Sequence, residues 1–357
     1  MLKCYTGDRP GDVPGNLPDP YYRWEAGSMS NALVEYWYYT KDPTWFPLVT
    51  HALLHQTGPE DNFMPPNQTR NLGNNDQMFW GLGSYIHCRG QVQNLSEDKP
   101  QWLSLAQTAF NSQATRWDTR TCGGGLRWQI FTFNNEYTYK NTAEKAFDWL
   151  MDHGLISKDC YSYDGVDDEQ NCTNVNPVQW TYNAGDFMLG AAHMYVSTDG
   201  SEVWERHLEG ITNESFKALL SRWVAHAIKG VPFTKDALMP KLRACAEAAT
   251  LQCSGPDGAC GLRWNEGSRF DGSTDVGEQM AALEVIQRNL VDYVEGRVTA
   301  STGGTSKGNP DAGTKTSDKG SNGGHKRKIT LTDGIEAWTF TASLGIFIMT
   351  GVIFMLT

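Results

Sequence analysis

Nine segments between residues 25 and 295 carry apolar residues three and four positions apart, the spacing that gives a helix one apolar stripe. They fall near 25–40, 43–56, 76–90, 100–117, 143–152, 183–197, 213–229, 238–252 and 275–295. In the last, Val276, Met280, Leu283, Ile286 and Leu290 form the stripe, while Glu278, Glu284 and Arg288 lie off it. Long loops rich in Gly, Asn, Pro and aromatics separate the segments, and such loops are where a scaffold places its site. One loop string, Cys122-Gly-Gly-Gly-Leu-Arg-Trp128, is echoed by Cys260-Gly-Leu-Arg-Trp264. Repeated helix hairpins with site-bearing loops point to an all-α chain, either an α/α toroid or an irregular bundle.

Charge narrows the function. Forty-one Asp and Glu outweigh 30 Lys and Arg, a formal net charge of -11, so the basic footprint of a nucleic-acid binder is missing. Aromatics reach 11%, many beside Asn, Asp and Gln, a setting that suits sugar rings as well as a core. No paired CxxC spacing occurs among the eight cysteines, and no cofactor or metal site is expected. An even cysteine count instead suits disulfides, with Cys253 and Cys260 the best local pair. Sequons at Asn67, Asn94, Asn171 and Asn213 add to the case for the secretory pathway.

Three regions are expected: a helical body over 1–300, a flexible Gly/Ser/Thr/Lys-rich linker over 301–328, and a hydrophobic tail over 329–357. The run Ala337–Thr357 is long enough to span a bilayer. Small residues at Ser321 and Asn322, a polar spacer and the apolar run match a glycosylphosphatidylinositol (GPI) attachment signal; an ordinary membrane anchor is the other reading. Either places the body at the cell surface or wall. The first fifteen residues hold no apolar stretch of signal-peptide length, so a start further upstream is expected.

The chemistry-bearing candidate is Gly73-Asn-Asn-Asp-Gln-Met-Phe-Trp-Gly81. Glycoside cleavage needs a carboxylic acid to protonate the leaving oxygen and, for retention, a carboxylate nucleophile about 5–5.5 Å away. An Asp/Asn helix cap accounts for the same residues without catalysis. Asp167-Asp168 reads as a solvated acidic turn in preference to a second catalytic pair. His51, His55 and His87 lack ligand spacing. Gly123–Gly125 lacks the Lys-Ser/Thr of a phosphate loop and reads as a tight turn.

The strings at 5–29, 64–69, 73–81, 122–142, 179–185 and 276–287 closely resemble fungal members of glycoside hydrolase family 76, the GPI-anchored mannan endo-1,6-α-mannosidase-like wall proteins. The resemblance implies an (α/α)6 barrel, a monomer, acting on α-1,6-mannose of wall mannan or GPI glycan by retaining hydrolysis or transfer. The family motif carries two adjacent aspartates, nucleophile then acid/base. The matching positions here are Asn75, an amide, and Asp76, so a catalytically impaired mannan binder is the alternative reading. Substrate contacts are expected from Asn74, Gln77, Trp128, Asn134, Asn135, Tyr137, Tyr139, Trp180, Tyr182 and Asn183. The resemblance also implies a missing helix where Thr142 runs into Ala143, and a missing stretch between Gly210 and Ser215. The well-kept flanking motifs favour omitted coding segments over a degenerate copy.

Overall fold

Alternating inner and outer helices build the body, and what positions the site is the ring formed by the inner set. The computed structural model describes residues 1–66, 68, 72–126, 139–179, 181–212, 219–298, 302 and 304–314. Among them are ten α-helices: α1 (Arg23–Thr40), α2 (Phe46–Gln56), α3 (Asn74–Arg89), α4 (Trp102–Ala114), α5 (Tyr139–Asp152), α6 (Thr181–Ser197), α7 (Glu202–Thr212), α8 (Leu219–Gly230), α9 (Lys235–Gln252) and α10 (Val276–Arg288). A two-stranded antiparallel ribbon pairs β1 (Gly165–Val166) with β2 (Val175–Asn176). Helices α7 and the ribbon fall outside the nine segments: each is short, and the ribbon's two-residue strands carry too little pattern to read.

Inner helices α1, α3, α6, α8 and α10 pack side by side, and α2, α4, α7 and α9 lie against them. Each inner helix is buried almost all round; α3 has no exposed residue from Asn74 to Arg89. Close approach is built into the sequence. A Cβ at Gly81 of α3 would lie 2.7 Å from the Ala109 Cβ on α4, so only glycine allows this contact. Between α3 and α6 the ring closes through Tyr85 and His193, whose hydroxyl and Nε2 are 3.4 Å apart. Helix α5 runs straight through the Thr142–Ala143 junction and inserts Phe147 against Phe187 of α6 and Trp204 of α7, with ring centroids 5.1 and 4.5 Å apart.

Helix α10 corrects the stripe expected from its sequence. Glu284 and Arg288 are fully buried, whereas Ile286 is exposed. The reason lies on other helices. Arg222 of α8 bonds Glu284 at 2.5 Å, and Arg288 bonds both Glu284 and Glu35 of α1. Arg297 Nη2 stands 2.6 Å from Glu35, and His226 Nε2 stands 3.2 Å from it. Burial alone would raise the Glu35 carboxyl; Arg288, Arg297 and His226 outweigh it and hold Glu35 well below the usual carboxylate range. The barrel interior is thus partly ionic.

The C-terminal segment also differs from a flexible linker. Residues 304–314 lie along α4: Asn309 N donates to Gln107, and Asn111 donates to the carbonyls of Pro310 and Ala312 at 2.8 and 2.7 Å. Polar side chains on α4 satisfy the backbone of a segment with no apolar stripe of its own.

Cys253 is bonded to Cys260, and a second bridge joins Cys122 to Cys172 across 50 residues. The longer bridge ties the loop after α4 to the β1–β2 turn. Loop-closure entropy makes it the stronger staple. Cys122→Ser is expected to cost about 3–4 kcal/mol and Cys253→Ser about 2. Urea titrations under non-reducing conditions measure both; equal losses would contradict the loop-length argument.

Candidate active site

The candidate acid sits in the first turn of α3. Gly73 precedes the helix in extended conformation, and its N–H donates to Asp76 Oδ2 at 2.9 Å. Asp76 therefore caps its own helix, and the cap and the catalytic reading fall on one side chain. Burial raises the Asp76 pKa; the Gly73 N–H, the nearby Arg23 guanidinium and the Trp24 backbone pull the other way and do not cancel it. A carboxyl so placed holds its proton to higher pH than an exposed one, which is what a general acid requires. Arg23 is itself fixed from three sides, by Gln56 Oε1, the Phe63 carbonyl and Gln68 Oε1.

Asn75 lies beside Asp76, with 5% of its surface exposed against 4% for Asp76. Its Oδ1 is buried and meets no hydrogen-bond donor among the described residues. Such an oxygen is costly to leave unpaired, so the position favours a donor brought by a ligand. As a neutral amide it supplies neither a nucleophile nor a negative charge.

Asn74 and Gln77, expected to touch substrate, are both held by internal hydrogen bonds. Arg116, at the end of α4, donates to Asn74 Oδ1 and to Gln77 Oε1. Gln77 Nε2 donates to the Asn62 carbonyl and to Ser112 Oγ at 2.6 and 2.8 Å. Both side chains brace α3 against α4. Arg116 is fully enclosed, and burial lowers its pKa to about 9.

Asn183 is buried in the first turn of α6. Tyr139 and Tyr182 belong to helical turns, but their side chains lie outside the described residues, as do Trp128, Asn134, Asn135, Tyr137 and Trp180 entirely. Asn67, Asn213, Ser321 and Asn322 also lie outside them. Asn171 is exposed in the β1–β2 turn; Asn94 Nδ2 donates to the Thr305 carbonyl at 2.9 Å. Asp167 accepts from Glu169 N and Gln170 Nε2 within its own turn, a local structural duty. His87 is stacked on Trp102 at 4.2 Å with its pKa lowered by burial to about 4, a core histidine. At Gly124 (φ +145°) a Cβ would fall 2.6 Å from the Trp117 indole nitrogen, so the triple glycine serves a tight turn. A cavity of about 460 Å³ runs along α5 beside Trp117, Trp149 and His153 and is lined by neither Asn75 nor Asp76.

Two side chains, Trp24 beside Asp76 and the buried Asp186, escaped the sequence reading. Half-buried Trp24 stacks on Phe79 at 5.4 Å, immediately beside the Asp76 cap, and offers an aromatic face there. Its signal was the aromatic cluster Tyr21-Tyr22-Arg23-Trp24. Asp186, one turn beyond Asn183, is fully enclosed; burial drives its pKa well above the usual range despite Arg222 and Trp223 nearby. Its folded-state pKa is raised, so its contribution to stability is fully present below the unfolded pKa and is lost as pH rises. Asp186→Asn is therefore expected to raise the melting temperature at pH 7 and to change it little at pH 4. Thermal melts at both values check this; a loss of stability at pH 7 would contradict it.

Among the described residues no group of His, Cys, Asp and Glu has metal-site geometry, and no helix is long and apolar enough to cross a membrane.

The sequence profile of glycosyl hydrolase family 76 matches residues 1–143, 142–215 and 212–301. Its two breaks fall at Thr142–Ala143 and Thr212–Ser215. The chain is similar to a mannan endo-1,6-alpha-mannosidase, DCW1, of Eremothecium gossypii, 38% identical with 88% of this chain and 82% of the relative covered. The DCW1 protein of Saccharomyces cerevisiae is 35% identical, covering 98% and 89%. The first alignment runs over 373 positions, more than the 357 residues of this chain, so the relative holds residues that this chain lacks. Among solved structures, Dfg5 from Chaetomium thermophilum in complex with glucosamine is 34% identical, with TM-score 0.80 over 88% of this chain and 93% of that one. An inactive α-1,6-mannanase variant from a Salegentibacter species, in complex with α-1,6-mannotriose, shares the fold at 16% identity and TM-score 0.61, covering 81% and 96%.

Proposed function

We propose, since this chain belongs to glycosyl hydrolase family 76, that it processes α-1,6-linked mannose, with Asp76 as general acid and base. The observation that carries this is the enclosed Asp76 carboxyl at the first turn of α3, whose pKa burial raises above that of an exposed aspartate. A protonated Asp76 gives its proton to the glycosidic oxygen as the C–O bond breaks; the resulting carboxylate then takes a proton from the attacking water or sugar hydroxyl. Hydrolysis and transfer share the first step and differ in that acceptor. The names of the relatives, mannan endo-1,6-alpha-mannosidases, supply the substrate class.

Asp76→Asn is expected to lower turnover of α-1,6-mannotriose by about 10²–10⁴-fold, the usual worth of a general acid. Reducing-sugar release measures it, and an unchanged rate would sink the assignment.

A second reading rests on Asn75: recognition of mannan with little turnover. The crystallised mannanase variant named inactive still holds α-1,6-mannotriose, which supports binding without chemistry. For location, we propose the outer cell surface or wall, with GPI attachment at Ser321 or Asn322 and carbohydrate at the sequons. The support is the tail sequence together with two disulfides. Phosphatidylinositol-specific phospholipase is expected to release the body from membranes. Retention together with the peptide Ile346–Thr357 would contradict the anchor.

A further inference from the structure

The end of the ring opposite Asp76 encloses a separate cavity of about 200 Å³. Arg89, at the far end of α3, lines it, about 20 Å from Asp76 at 1.5 Å per residue. The C-terminal ends of α1, α6 and α8 form the walls, and the strap from Val294 to Arg297 forms the roof. Val298 N donates to the Arg89 carbonyl at 3.1 Å, and Arg89 Nε donates to the Val298 carbonyl at 3.1 Å, which ties the roof to α3.

The lining has one sign of charge. Arg89, Lys229 and Arg297 face the cavity together with His193 and His226, and no aspartate or glutamate lines it among the described residues. This is a concentration of cations inside a chain whose net charge is -11. Lys229 Nζ donates to the carbonyls of Val291 and Val294 at 3.2 and 2.5 Å. The Arg297 side chain is 6% exposed, and its Nη2 shares Glu35 with Arg288 and His226. Its Nη1 is buried without a hydrogen-bond acceptor among the described residues. The guanidinium lies over the Tyr38 ring at 4.3 Å, and an anion would give it the hydrogen-bond acceptor that the ring does not supply. The positive field is visible in the histidines: burial lowers the His226 pKa to about 3 and that of His193 as well, and Arg297 pushes both the same way.

We propose that this cavity is a binding site for a small tetrahedral oxyanion of the phosphate or sulfate type, held by the Arg297 guanidinium and Lys229 beneath the strap. The volume is below the roughly 300 Å³ at which pockets for drug-sized ligands begin. Exposed Gly230 and Gly296 leave a way in. The site is independent of the mannose chemistry at Asp76.

Thermal unfolding of the full chain, with sodium phosphate titrated against chloride at constant ionic strength, tests this. Sulfate and acetate form parallel arms. The expected result is a saturable rise in melting temperature with phosphate and with sulfate, absent with acetate. In Arg297→Gln the midpoint concentration is expected to rise at least about tenfold. If that variant does not fold, Lys229→Gln, altered at the partly exposed mouth, replaces it with the same expectation. A rise that never saturates is the general salting effect of these anions and overturns the proposal. So does an equal response to acetate, or an unchanged midpoint in the variant.

Discussion

Asn75→Asp is expected to raise turnover of α-1,6-mannotriose by about 10³-fold or more. The estimate comes from the size of nucleophile effects in enzymes that form covalent intermediates, where losing the nucleophile costs up to about 10⁶. An amide at position 75 offers no anionic oxygen to the anomeric carbon and no charge to an oxocarbenium-like transition state. A carboxylate there supplies both. Placed beside Asp76, it also pushes the Asp76 pKa further up by like-charge repulsion, which favours the proton-donor role. The double variant Asn75→Asp/Asp76→Asn is expected to lose the gain. Equal rates for the natural chain and Asn75→Asp would show that position 75 is not the nucleophile position.

Glu35→Gln is expected to cost about 3–5 kcal/mol of folding stability, the range for breaking a buried ion pair from one side. Glu35 carries Arg288, Arg297 and His226 on one carboxylate. The amide leaves Arg288 with Glu284 alone and Arg297 with no carboxylate among the described residues. Urea unfolding at pH 7 gives the number. The pH dependence has a defined sign. The folded-state pKa of Glu35 is depressed, so its contribution is present above the unfolded pKa and is lost as pH falls through the folded value. The gap between natural chain and variant therefore begins to narrow below the unfolded pKa of about 4.3 and closes only in strong acid. Both chains are expected to weaken between pH 6.5 and 4, because His87 and His226, at about 4 and 3 when folded, take protons first in the unfolded state. A loss under 1 kcal/mol for Glu35→Gln would contradict the network account.

The sequence made the helical body, the α3 start and the family legible because each has a local signature: apolar spacing, a glycine before a polar first turn, and the matching strings. The motif alone does not say that Asn74 and Gln77 also bond across to α4; Arg116, some 40 residues away, decides it. The same holds for α10. Stripe counting assigns Glu284 and Arg288 to the outside, and only their partners on α1 and α8 make burial tolerable. Asp186 and the cation-lined cavity leave no periodic trace at all, since both depend on side chains that helices far apart in sequence bring together. The segment 304–314 reads as a linker for the same reason, its placement on α4 coming from Gln107 and Asn111. The two profile breaks coincide with the junctions at Thr142–Ala143 and Thr212–Ser215, where the sequence itself shows the family pattern cut short.

A crystal of the full chain soaked with α-1,6-mannobiose shows whether Asp76 reaches the bond to be broken. The expected result is a disaccharide at the first turn of α3, with its interglycosidic oxygen within about 2.6–3.2 Å of the Asp76 carboxyl and a hydroxyl donating to Asn75 Oδ1. An empty site at millimolar sugar, or a disaccharide bound away from Asn75 and Asp76, would contradict it.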